Sequence, residues 1–143
     1  MEKNELSKAE WLDKAEGYCA RSEHCAADVR RKFLELGTPS EIADEIEKKL
    51  YERGFLNDAR FCRAYVHDKV AYQAWGRIKI QAGLRALQLP ESAIRDALEE
   101  IDEEVYMRNL RSLVEQRKKD NEEKRLRFLL QRGFCFEEIK KCK

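Results

Sequence analysis

The stretch "FLELG", Phe33–Gly37, closes like a helix: apolar residues around one charge, then a glycine that stops it. "LLQRG", Leu129–Gly133, closes in the same way, and "LRALQ", Leu84–Gln88, stands between them. Stepping back by four and eight residues from Gly37 gives Phe33 and Val29, and from Gln88 gives Leu84 and Ile80. Each pair is an apolar ladder on one helix face. From Gly133 the same steps give Leu129 and Arg125, so the third ladder keeps its middle rung and leans on Leu126.

The residues after each ending repeat as well. "TPSEIADEIEKKL", Thr38–Leu50, offers Thr38 as a helix cap, Pro39 as a first helical residue and Glu41 to complete a capping box. Ile42, Ile46 and Leu50 then line one face. "LPESAIRDALEEI", Leu89–Ile101, does the same with Ile94, Leu98 and Ile101, and "FCFEEIKKCK", Phe134–Lys143, has only Ile139. A further helix precedes each ending. It carries Trp11, Ala15, Tyr18 and Cys19 in the first case, and Phe61, Cys62, Tyr65, Val66 and Tyr72 in the second, where Asp58 suits the cap. In the third it carries Tyr106, Leu110, Leu113 and Val114, followed by an Asp120–Glu123 capping box.

Gln88 lies 51 residues after Gly37, and Gly133 lies 45 after Gln88. That spacing is too long for tetratricopeptide or ankyrin repeats and closer to multi-helix solenoid units, and three helices per unit fits. The expected fold class is all-α: three tandem three-helix repeats over residues 8–53, 54–101 and 102–143. One such unit buries too little apolar surface to fold alone, so the three are expected to stack into an elongated array. At the first joint, "ERGFLNDARF" (Glu52–Phe61), Gly54 ends a helix and Asn57–Asp58 begins the next. The second joint, "LEEIDEEVY" (Leu98–Tyr106), lacks glycine and proline and reads as a continuous or slightly kinked helix.

Composition agrees. Of 143 residues 40% are charged, yet 29 basic and 28 acidic residues nearly cancel, and two prolines and six glycines are too few for a linker-rich or all-β chain. The five cysteines, Cys19, Cys25, Cys62, Cys135 and Cys142, form no C-x-x-C pair, and "MEKNELSKAE" has no apolar core for a signal peptide. No apolar run could span a bilayer. A cytoplasmic protein with buried thiols is expected.

Taken in order, "AADVRRKFLELG" (Ala26–Gly37), "GFLNDARF" (Gly54–Phe61), "AWGRIKIQAGLRALQLPESAI" (Ala74–Ile94) and "KRLRFLLQRGFCFEEIKK" (Lys124–Lys141) resemble the RecX family of bacterial recombination regulators. The resemblance runs from about Lys14 to the end of the chain. It implies three tandem three-helix repeats in a curved, extended molecule. It also implies a non-catalytic protein that binds the RecA recombinase filament on single-stranded DNA and restrains its growth, ATPase and strand exchange. One departure is visible: where the family has a Ser-x-x-Glu capping box, this chain has Cys25 and Asp28, and Ser22 is the alternative cap.

No nucleotide-binding, nucleophile-elbow or zinc-protease motif occurs, and Cys19, His24 and Cys25 match no structural zinc spacing. No cofactor, metal or membrane partner is expected. His67 reads as an ordinary helix residue. Charge is more informative. From Lys69 to Pro90 there is no acid, and Arg77, Gln81 and Arg85 fall at i, i+4 and i+8 with Lys79 beside them. A second cluster holds Lys124, Arg125, Arg127 and Arg132, after Arg117–Lys119 and diluted by Asp120, Glu122 and Glu123. These eight residues, Arg77, Lys79, Gln81, Arg85, Lys124, Arg125, Arg127 and Arg132, are the candidates for meeting DNA or an acidic recombinase surface. Charged helices often carry such a stretch as a solvated face alone. Tyr72 and Trp75 could stack on bases, although a large aromatic in this position more often anchors a helix in the core. A monomer is expected. A helical nucleic-acid-binding module with no recombinase partner is the alternative, and the net charge of +1 counts against it.

Overall fold

The computed structural model describes residues 6–142, so Lys143 of the expected third unit and residues 1–5 of the N-terminal stretch lie outside the described residues. The described chain is all-helical. In order it forms α1 Lys8–Arg21, α2 Ala26–Glu35, α3 Ser40–Glu52, α4 Asp58–Gln73, α5 Arg77–Ala86, α6 Glu91–Glu99, α7 Glu103–Gln116, α8 Glu122–Gln131 and α9 Phe136–Lys140.

The three similar endings terminate α2, α5 and α8 with the same hydrogen bonds. Gly37, Gln88 and Gly133 all take positive φ, at 90°, 65° and 100°. The N–H of each bonds three residues back, to Leu34, Arg85 and Leu130. The next N–H (Thr38, Leu89, Phe134) bonds five residues back, to Phe33, Leu84 and Leu129. One left-handed residue thus turns the chain and satisfies carbonyls that the helix end would leave open. In the middle unit glutamine holds a conformation that suits glycine. Gln88→Gly is therefore expected to stabilise the protein by about 0.5–1 kcal/mol, the relief of left-handed strain exceeding the extra chain entropy glycine loses. Urea unfolding measures it, and a destabilised variant contradicts it.

The described residues divide into two compact units, residues 6–61 and 62–142. In the first, α1 and α2 both pack on α3. Its core joins Trp11, Ala15 and Cys19 of α1, Val29 and Phe33 of α2, Ile46 and Leu50 of α3, and Leu56. The Phe33 ring meets Trp11 and Tyr18 edge-on, at 6.1 and 5.9 Å between centroids. In the second unit α5 packs on α6, and α8 packs on both α7 and α9. Tyr106, Leu110 and Leu113 of α7 form a core with Leu129, Phe134 and Ile139. Cys19, Cys25 and Cys62 are buried, while Cys135 and Cys142 are half-buried. Burial holds the Cys19 thiol well above its usual range, pushed up to about 11.

Several helix starts differ from expectation by a residue. Thr38 does not cap α3, because its N–H closes the α2 ending and its side chain is buried, with no hydrogen bond to Oγ1. Pro39 is the cap residue instead, its carbonyl accepting from Ala43 N–H at 2.9 Å. Asn57, not Asp58, caps α4 by accepting from Arg60 N–H at 2.9 Å, while Asp58 accepts from the Tyr51 hydroxyl at 2.7 Å. Asn121, not Asp120, caps α8, accepting from Lys124 N–H at 2.8 Å. Ser22 does not replace Cys25, which stays the cap residue of α2, and the serine hydroxyl meets His24 Nε2 instead. The joint after α6 is a break, made by Asp102, whose carboxylate accepts from the N–H groups of Glu104 and Val105 at 2.9 and 3.3 Å. α1 starts on a Ser7–Glu10 capping box.

Candidate partner interface

The candidate residues on α5 and α8 lie in the second unit, where a backbone contact joins the two helices. Gly76, just before α5, and Gly133, just after α8, approach so closely that a Cβ on Gly76 would lie 2.3 Å from the Gly133 carbonyl carbon and oxygen. Through this gap Gly76 N–H donates to Arg132 O at 2.8 Å and Ile78 N–H to Gly133 O at 3.1 Å. Between them, Arg77 N–H donates to the Tyr106 hydroxyl at 2.9 Å. The first N–H groups of α5, which its own turns cannot satisfy, are taken up by the end of α8 and by α7. The positive end of one helix dipole meets the negative end of another.

Side chains close over this contact. The buried Tyr106 donates its hydroxyl proton to Glu138 Oε1 at 3.1 Å, and the same oxygen accepts from Cys135 N–H at 2.9 Å. Burial raises the Tyr106 pKa, with the Glu138 carboxylate acting in the same direction, so the phenol stays protonated and able to donate. Arg77 reaches Glu138 at 3.2 Å and Glu103 at 2.6 Å, with its guanidinium over the Tyr106 ring, 4.1 Å from the centroid.

This geometry sorts the sequence-predicted residues. Arg77 is half-buried and tied to two carboxylates, so it has a structural task, and reversing its charge would disturb folding as well as any binding. Gln81 is half-buried. Arg85 is exposed and bidentate to Glu91, at 2.6 and 3.2 Å, and that hydrogen-bonded carboxylate raises its pKa. The i, i+4, i+8 ridge is thus not a row of open cations. On α8, Lys124 lies 4.0 Å from Asp120 and Arg127 lies 3.5 Å from Glu123. Arg125 bonds the carbonyls of Arg117 and Asp120, bracing the α7–α8 turn. Arg132 donates to the Gln73 carbonyl and lies 5.6 Å from the Phe128 ring centroid.

Lys79 differs. Its ammonium sits 4.3 Å from the Trp75 ring centroid, Lys69 sits 4.6 Å from the same ring, and neither forms an ion pair among the described residues. Trp75 is half-buried rather than part of the core, and Tyr72 is 78% exposed. Lys69 and Trp75 therefore belong with Lys79, Arg132 and the start of α5. The acid-free stretch pointed to Lys69, but only the fold brings it onto the indole. Lys124 sits in the first turn of α8, at the opposite end from Arg132, and Arg127 in its middle.

The comparisons bear on the whole chain. A family model for the second three-helix domain of RecX matches residues 57–98, which take in α4, α5 and all but the last residue of α6. A regulatory protein RecX of Geobacillus kaustophilus is 34% identical over 113 residues, 78% of this chain, although the chain spans only 40% of that relative's length. A regulatory protein RecX of Pelodictyon phaeoclathratiforme is 31% identical over 121 residues, covering 81% of this chain and 76% of the relative. Two crystal structures share the fold. One, of a regulatory protein RecX, matches with a TM-score of 0.78 at 23% identity over 99% of this chain and 80% of its own. The other, RecX from Lactobacillus salivarius, matches at 0.77 and 18% identity over 94% and 93%. The architecture of three-helix repeats, the matched second domain and the relatives together establish that this chain belongs to the RecX family of regulatory proteins.

Proposed function

We propose that this protein is a non-catalytic regulator of the RecA filament on single-stranded DNA, restraining its extension, ATPase and strand exchange. Recombination, DNA repair and the SOS response would be tuned through that one filament. The observation that carries the reading is membership in a family of regulatory proteins, with relatives that match across most of the chain. Three-helix repeats over 8–53, 54–101 and 102–143, as the sequence pattern suggests, would give a chain of modules, each able to present its own face to a repeating partner. Near-neutral charge favours a protein-coated filament over bare DNA, because non-specific DNA affinity comes mainly from phosphate neutralisation. The setting is the cytoplasm, and among the described residues no helix is long and apolar enough to cross a membrane.

Binding discriminates this reading from a nucleic-acid module without a recombinase partner. The labelled protein is titrated with RecA-coated single-stranded DNA and with the same DNA bare, at physiological salt. At least tenfold tighter binding to the coated strand is expected. Equal or tighter binding to bare DNA would replace the filament reading with the nucleic-acid module.

A further inference from the structure

We propose that Lys69, Trp75 and Lys79 form a site for single-stranded nucleic acid, the indole stacking on one base while the two ammonium groups take phosphates beside it. The site deepens the filament reading, on which it rests for the source of the strand.

The cluster is built rather than incidental. Trp75 follows Ala74, which is held at φ 51° although it is not glycine. The Trp75 N–H bonds back to the Lys69 carbonyl at 3.0 Å, and Gly76 N–H is anchored on Arg132 O at 2.8 Å. The short segment between α4 and α5 is therefore fixed on both sides, and the indole is presented with little freedom left to lose on binding. Strained backbone of the Ala74 kind persists where surrounding bonds over-determine it.

Electrostatics select an anion. Two ammonium groups, Lys69 and Lys79, flank one indole, and each has ring contacts and no ion pair among the described residues. In the same unit Glu103 and Glu138 are both engaged by Arg77. A full phosphate charge attracts an ammonium more strongly than a ring quadrupole does, so these half-buried ammonium groups can swing to a phosphate and uncover the ring.

The ring selects among anions. A carboxylate surface or a free phosphate would use the lysines and leave the half-buried indole idle. A nucleic-acid strand alternates planar faces with anions, and only an unpaired strand exposes those faces. Tyr72, 78% exposed and three residues earlier, offers a second ring.

The test uses the full chain and an oligothymidylate of about 15 nucleotides, long enough to fill a single-strand site. Trp11 is 7% exposed in the first unit's core, so quenching on addition of the oligonucleotide reports Trp75. Affinity is read separately by anisotropy of labelled oligonucleotide. Trp75→Leu, which keeps apolar bulk but loses the π face, should weaken binding about tenfold. Lys69→Gln with Lys79→Gln should flatten the slope of log affinity against log salt by about 1.4, the value for two single-strand phosphates released. Helical circular dichroism should be unchanged in the lysine variant, so the proposal stays testable even if the tryptophan variant unfolds. No quenching, oligonucleotide binding that both variants leave unchanged, or equal competition by polyglutamate would overturn the site and leave the filament reading standing. Variant-sensitive oligonucleotide binding by a protein with no effect on RecA filaments would instead overturn the filament reading and leave the site.

Discussion

Gly76→Ala should destabilise the protein by roughly 2–5 kcal/mol, a large share of the stability of an ordinary domain. The added methyl would stand 2.3 Å from the Gly133 carbonyl and 2.4 Å from the Phe134 nitrogen. Both neighbours are backbone, so no side chain can rotate away. The end of α8 must retreat, and the bonds from Gly76 N–H to Arg132 and from Ile78 N–H to Gly133 lengthen or break together. Overpacking accounts for about 1–3 kcal/mol of the cost and each lost hydrogen bond for about 1 kcal/mol. Gly133→Ala should behave similarly or worse, since it adds a 2.4 Å clash with Lys79 Cβ to a φ of 100°. Gly17→Ala is the control. It sits inside α1 with nothing within 4 Å of the new methyl, so it should gain about 0.5–1 kcal/mol. Thermal and urea unfolding give the energies, and hydrogen exchange should show the α5 and α8 termini losing protection first. A Gly76→Ala protein as stable as the parent would mean that the contact is not part of the folded state.

The repeat was legible because its signal is local. Phe33, Leu84 and Leu129 each stand four residues before a left-handed turn residue, and those turns recur in the structure with matching hydrogen bonds. A helix ending depends on a few consecutive residues, so sequence alone can show it. The caps were less legible. Thr38 and Asp120 have the right chemistry, but Thr38 is consumed in closing the previous helix and Asn121 outcompetes its neighbour. Whether a short polar side chain caps depends on where the preceding turn releases the chain, to within one residue.

The candidate interface was legible only as composition. Arg77 and Arg85 stand out as cations in an acid-free stretch, yet their partners Glu138, Glu103 and Glu91 all come from beyond it. Counting charges within a window misses neutralisation from elsewhere in the fold. Trp75 failed for the opposite reason. Its size argues for the core, but its neighbour Ala74 is the residue of this segment that packs on the apolar cluster of α7, α8 and α9, while Trp75 is left half-buried beside Lys69 and Lys79. No local pattern announces that Gly76 and Gly133 meet.

The second large effect is functional. A regulator that caps a growing filament, or wedges between its subunits, blocks addition at one place while subunits continue to leave elsewhere. One bound molecule then removes many recombinase subunits from the active pool. Inhibition of DNA-stimulated ATP hydrolysis is therefore expected well below one regulator per recombinase, on the order of one per ten or fewer if the affinity is in the sub-micromolar range typical of specific complexes. A competitor for bare DNA must instead cover the strand, so its effect scales with DNA length and disappears when DNA is in excess. With a net charge of +1, this chain lacks the electrostatic surplus such coverage requires. The decisive measurement is a titration of the protein into RecA assembling on single-stranded DNA, following ATP hydrolysis at two DNA concentrations. Half-inhibition at a small fraction of the recombinase concentration, unchanged when DNA is doubled, is the predicted result. Inhibition only at DNA-saturating amounts, relieved by added DNA, or no inhibition at all would contradict it.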